Sequence, residues 1–127
     1  MIILSFNIQG IWGIPKLNAL RRLFNTPRPN VVLVQETMCD GNKACEVFLK
    51  KIPGWKVCAL ESNGLSGGLL ATWDPQVADF KSLSIYAGLL LEGRIIGFAD
   101  EVKIVNCYDP FNGKMNLWER VMGASEF

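Results

Sequence analysis

Histidine is absent from this chain. That absence removes Ser-His-Asp and Cys-His catalysis, and imidazole acid–base chemistry altogether, from anything these residues do by themselves. Hydrolytic chemistry here rests on carboxylates, amides, a tyrosine or a metal ion, or it borrows groups from elsewhere. Cysteine is sparse, and Cys39, Cys45, Cys58 and Cys107 show no C-x-x-C spacing. A zinc site is therefore not expected, and the four thiols read as reduced, mostly buried side chains of an intracellular protein. Long apolar runs are lacking too, none approaching the ~20 residues of a membrane-spanning helix. The opening Met1-Ile2-Ile3-Leu4-Ser5-Phe6-Asn7 has no basic leader, so secretion is not expected. Nor does one sign of charge dominate: 13 Lys and Arg stand against 12 Asp and Glu, a net charge of +1. This balance leaves nucleic acid open as a partner, because a binding groove needs local rather than global positive charge.

What is abundant is apolar side chain. Half of the 127 residues are apolar and the mean hydropathy is +0.21. The length suits one domain with a real core. Residues 2–6 (Ile-Ile-Leu-Ser-Phe) and 31–35 (Val-Val-Leu-Val-Gln) are short β-rich runs of the kind buried strands show. Between them, Pro15 suits a first helical turn, and Leu17, Leu20, Leu23 and Phe24 repeat at helical spacing. Thr26-Pro27-Arg28-Pro29 ends that helix. Asp40 can cap a second helix with Ala44, Val47, Phe48 and Lys51 on one face, closed by Pro53-Gly54. Strand, helix, strand, helix favours a layered α/β sheet. The rest reads mostly as strand: 55–60, 69–73 and 80–86, then a hairpin of 89–98 and 102–107 around Ala99-Asp100-Glu101. A final amphipathic helix is expected over 114–122, with Met115, Trp118 and Met122 on one face.

The polar residues fall in a positional pattern. Asn7 follows the first strand, Glu36 the second and Tyr108 the 102–107 strand. Ligands of layered α/β sheets gather at the carboxyl ends of strands. If these three strands lie side by side and parallel, an amide, a carboxylate and a phenol converge on one rim. Such a trio suits phosphate esters: magnesium takes one or two protein carboxylates and completes its shell with water and substrate phosphate. Taken singly, each residue reads more simply as a solvated strand end. Gly64-Leu65-Ser66-Gly67-Gly68 could offer backbone N–H groups to an anion, though a hairpin loop is the simpler reading. Lys16, Arg21, Arg22 and Arg28 could follow a nucleic-acid backbone or simply form a solvated face. Trp12 is the one aromatic residue placed to stack on a base.

Four segments, in order, resemble the endonuclease/exonuclease/phosphatase superfamily, which includes DNase I and the apurinic/apyrimidinic endonucleases. Ile3–Gly10 resembles its first strand and asparagine–glycine signature, and Asn30–Thr37 its metal-binding glutamate motif. Ser66–Leu70 is similar to its serine–glycine entry to a central strand, and Val105–Pro110 to its asparagine-x-tyrosine-x-proline turn. The stretch Gly67–Asp74 is similar to endonuclease domains of plant non-LTR retrotransposons. The resemblance implies the N-terminal part of a DNase I-like four-layer α/β sandwich, a mixed sheet with flanking helices and an incomplete second sheet. It implies that Glu36 and Asn7 hold magnesium or manganese, and that Asn7, Glu36 and Tyr108 form the catalytic set. It further implies a DNA or RNA substrate attacked by metal-activated water, in a nuclear or cytoplasmic setting.

The departures shape the expectation as much. Residues 1–127 contain neither the family's glycine-aspartate-x-asparagine turn, source of the general base, nor its terminal serine-aspartate-histidine. The whole chain therefore reads as a partial domain, the N-terminal half, weak or inactive alone because such groups act as a unit. The alternatives are a nuclease completed by a C-terminal half, and a non-catalytic module that binds nucleic acid or another protein. An unfinished sandwich exposes apolar surface, so self-association is expected.

Overall fold

The computed structural model describes residues 2–8, 18, 22, 29–38, 40–60 and 68–107. The expected helix over 114–122, Tyr108, Trp12, Lys16, Arg21 and Arg28 lie outside the described residues. Asn18 and Arg22, within the first expected helix, are both helical and exposed.

The first strand, β1 (Ile3–Asn7), lies parallel to β2 (Val31–Gln35), with Ile3 opposite Val31 and Asn7 opposite Gln35. A parallel neighbour needs a crossover connection, which the intervening residues 8–30 supply. Helix α1 (Gly41–Lys51) follows β2. Its N-cap is Asp40, whose carboxylate accepts from the Lys43 N–H at 2.9 Å. This removes one orphan donor of the first turn. Lys50 and Lys51 sit in the last turn, where cations complement the helix dipole. Strands β3 (Lys56–Leu60) and β4 (Leu69–Trp73) then pair antiparallel and complete a mixed sheet of order β1-β2-β4-β3. All five residues of β4 are buried, as a central strand covered on both faces requires. A second sheet is a fully antiparallel meander of β5 (Ala78–Ile85), β6 (Gly88–Ile95) and β7 (Val102–Cys107).

Strand parity sorts the core into two clusters. Val32, Val34 and Leu70 face outward from the mixed sheet onto Ala44 and Phe48 of α1. Val31, Leu33, Leu69, Ala71 and Trp73 face the other way and pack on Phe80, Leu89, Leu91 and Ile95 of the second sheet. Trp73 and Phe80 meet edge to face across that interface, centroids 5.4 Å apart at 74°, a favoured aromatic geometry. The described layers are thus helix, mixed sheet, antiparallel sheet. No helix among the described residues is long and apolar enough to cross a membrane.

Bounds of β1, β3, β5 and β6 shift by one to three residues from those expected, most of all in β5 and β6. β5 starts at Ala78, because Ala78 is buried and pairs with Ile95. β6 ends at Ile95 rather than 98, because the Phe98 N–H folds back onto the Ile95 carbonyl at 3.0 Å. The Ile96 N–H still donates to the Val77 carbonyl at 2.8 Å, but Ile96 and Phe98 stand exposed beyond the last ladder pair.

Candidate active site at the strand ends

The parallel register decides the geometry of the rim. Asn7 is the last residue of β1 rather than the first after it, and it lies directly opposite Gln35. Glu36 comes one residue beyond Gln35, so an amide and a carboxylate leave neighbouring strands at the same sheet end. Neighbouring strands are about 4.8 Å apart, so the two residues are close in space at this end of the sheet. Asn7 is exposed and Glu36 half-buried.

Glu36 has φ 55° and Met38 φ 59°. A residue with a β-carbon adopts this left-handed region at a cost of about 1–2 kcal/mol, and such strain gathers where a side chain must be aimed. Between the two, Thr37 is buried and its N–H donates to the Gly68 carbonyl at 3.4 Å. Gly68 itself has φ 88°, where glycine alone is at ease. Because Leu69 pairs with Gln35, Gly68 brings the end of the Gly64–Gly68 segment to this same rim. Residues 61–67 lie outside the described set, so the anion-binding and hairpin readings of that segment both stand.

The expectation that three parallel strands lie side by side needs correction. β1 and β2 do so, but β7 belongs to the second sheet. Its place there follows from antiparallel pairing with β6 along the whole strand, Gly88 opposite Cys107 through Gly93 opposite Val102. The C-terminal end of β7 nevertheless reaches the rim from the facing sheet. There Asn106, 1% exposed, projects into the interface. Its Nδ2 donates to the Val34 carbonyl at 3.2 Å and the Leu70 carbonyl at 2.9 Å, on adjacent strands of the mixed sheet. Its Oδ1 accepts from Gln35 Nε2 at 2.8 Å, and that same Nε2 donates to Ser5 Oγ at 3.0 Å. Both protons of each amide nitrogen are used, and no buried side-chain polar atom among the described residues is left without a partner.

Ser5, Gln35 and Asn106 are thus part of the site's architecture, and sequence reasoning missed that role. A signal existed: Asn106 shares the inward parity of Val102 and Ile104, where an apolar residue is the default. Of Lys16, Arg21, Arg22 and Arg28, only Arg22 is described, and it is exposed, as either the groove or the solvated-face reading requires.

Toward a cation, the rim offers hard oxygen donors, the Glu36 carboxylate and the Asn7 amide. Among the described residues no group of three or more His, Cys, Asp or Glu converges. One carboxylate with an amide is a sparse set, of the kind magnesium completes with water and phosphate oxygens. The residues present fit such an ion.

No family model matches this chain and no curated protein matches it. Solved structures do. An AP endonuclease from Leishmania major superposes with a TM-score of 0.61 at 18% identity, covering 92% of this chain and 43% of that one. A 3′ phosphatase from Neisseria, bound to a product DNA hairpin, gives 0.58 at 18% identity and covers 96% and 48%. The APE2 catalytic domain of Xenopus laevis gives 0.56 at 17% identity and covers 95% and 49%. The chain therefore has the DNase I-like fold in part, spanning about half the length of the structures it matches.

Proposed function

We propose that this half-length DNase I-like fold is the metal-holding part of a phosphodiesterase acting on nucleic acid. Glu36 holds magnesium or manganese, Asn7 supports the ion or its water, and Tyr108 hydrogen-bonds a phosphate oxygen. The observation that carries this reading is the register of Asn7 against Gln35, with Glu36 leaving β2 in a left-handed conformation beside it. The metal, when bound, supplies an activated water and stabilises charge on the phosphoryl oxygens. Glu36 fixes the ion's place, and Asn7 orients what is bound there from the neighbouring strand. The site is half-buried at Glu36 and open at Asn7, so a phosphate can approach from the β1 side. A nucleic-acid substrate is supported by the DNA hairpin bound to the Neisseria phosphatase. A retroelement origin and a nuclear or cytoplasmic setting belong to the proposal on sequence grounds, the first through Gly67–Asp74.

Turnover by these residues alone is weak or nil, since they include neither a histidine nor the glycine-aspartate-x-asparagine turn. The span of 43–49% of the matched structures favours a second reading, a non-catalytic module that binds nucleic acid or another protein. Nicking of supercoiled plasmid separates the two, compared between the chain and its Glu36→Ala variant in magnesium and in EDTA. Metal-dependent nicking lost in the variant supports a catalytic half-site. Absence of nicking in both supports the module, and its affinity for nucleic acid then falls steeply with salt. Restored cleavage on co-expression with a C-terminal half of the fold supports a completed nuclease.

A further inference from the structure

Glu36 holds a backbone conformation that costs free energy, and such a conformation persists only where its surroundings over-determine it. Three neighbours supply that restraint. The Val34 carbonyl is bound by Asn106 Nδ2, and the Gln35 side chain is bound to both Ser5 and Asn106. On the other side the Thr37 N–H is bound to the Gly68 carbonyl. Restraint on the strand side of Glu36 therefore combines backbone pairing, including the Ile8 N–H bound to the Gln35 carbonyl at 3.0 Å, with one pair of side-chain amides.

Packing alone does not ask for that pair. Asn106 lies at an inward position of the sheet interface, where a leucine of similar size would bury without desolvating an amide. What the asparagine adds is direction. It ties two strands of one sheet to the end of a strand in the other, and it seats the residue immediately before Glu36.

On the metal-site reading above, we infer that Gln35 and Asn106 are positioning residues: their paired amides fix the turn that aims the Glu36 carboxylate. Their loss acts on the turn first and on the ion through it. Groups that orient a metal ligand in this way typically change metal affinity 10–100-fold when removed.

The test uses the full chain and the variants Gln35→Leu, Asn106→Leu and, as a control, Thr72→Val. The control also removes a buried side-chain hydrogen bond, from Thr72 Oγ1 to the Lys56 carbonyl at 2.7 Å, but on the β3 side of the sheet. One readout needs no metal: amide hydrogen exchange at Thr37, whose N–H closes the turn. The other is the affinity for Mn²⁺ alone, followed by its EPR signal, with Glu36→Ala defining the Glu36-dependent part. The expected result is about tenfold faster exchange at Thr37 and about tenfold weaker Glu36-dependent Mn²⁺ binding in both leucine variants, with neither change in Thr72→Val. Unchanged Thr37 exchange in Gln35→Leu overturns the inference, as does an equal effect in the control. If Asn106→Leu fails to fold, Gln35→Leu decides alone, since Gln35 is only half-buried. A wild-type chain without Glu36-dependent Mn²⁺ binding sinks the metal reading, while the exchange measurement still decides the positioning role.

Discussion

Glu36 joins a left-handed backbone to a carboxylate, and mutation separates the two. In Glu36→Gly the strain is relieved, and in Glu36→Ala it stays. Glycine should therefore be the more stable replacement by about 1 kcal/mol, read from urea midpoints. Equal stabilities would mean that the turn relaxes once the carboxylate is gone. Cys58 supports a prediction of another kind. Burial pushes its thiol from 9.0 up to about 11, outweighing hydrogen bonds from Ser82 and Ala71 that lower it. Burial also raises Cys45 and Cys107. Above pH 9 the unfolded chain releases a proton that the folded chain keeps, so unfolding gains. Stability is then whole below pH 9 and declines as pH rises toward 11, and Cys58→Ala should make that decline shallower. A flat urea midpoint across this window would count against a buried, neutral thiol.

Among the elements, the β5–β6 pair is the most exacting. A β-carbon on Gly93 would run into the backbone carbonyl of Asp79 on the paired strand. The obstacle is backbone in a ladder rather than the end of a flexible side chain, so Gly93→Ala should cost about 1–3 kcal/mol, measured by thermal or urea unfolding. A neutral result would show that the ladder shifts freely. How far sequence reveals each element follows from the same local physics. β2, β4 and β7 carry the bounds that their apolar runs and flanking turn residues indicate. Helix α1 begins where Asp40 can cap it. The end of β6 is hidden, because Ile96 and Phe98 have strand-forming side chains whose exposure only the turn's hydrogen bond decides. The places of Asn7 and Glu36 at neighbouring strand ends are legible because strand ends are. Gln35 and Asn106 are not, because their partnership joins two sheets and no local pattern encodes it.

For the whole molecule, the mismatch of four strands against three has a measurable result. Ile3, Ser5 and Asn7 sit opposite Val31, Leu33 and Gln35, whose side chains face the second sheet, yet all three are exposed. With Ile2 and Ile3 at 42% and 45% exposure, β1 is the edge strand of its sheet among the described residues and carries exposed apolar side chains, the feature by which sheets associate. The chain should bind ANS and elute from size exclusion above its 14.1 kDa, and Ile3→Lys should reduce both. A monomer with low ANS binding would contradict this. The hydrogen bond between Gln35 and Asn106 has a consequence in time as well. It joins residues 71 apart in the chain, and long loops close late because their entropy must be met before the contact rewards it. On a ribosome, β1 and β2 emerge well before β7. The Gln35–Asn106 bond beside the Glu36 turn therefore forms only after Asn106 has been synthesised, near the end of translation of this sheet pair.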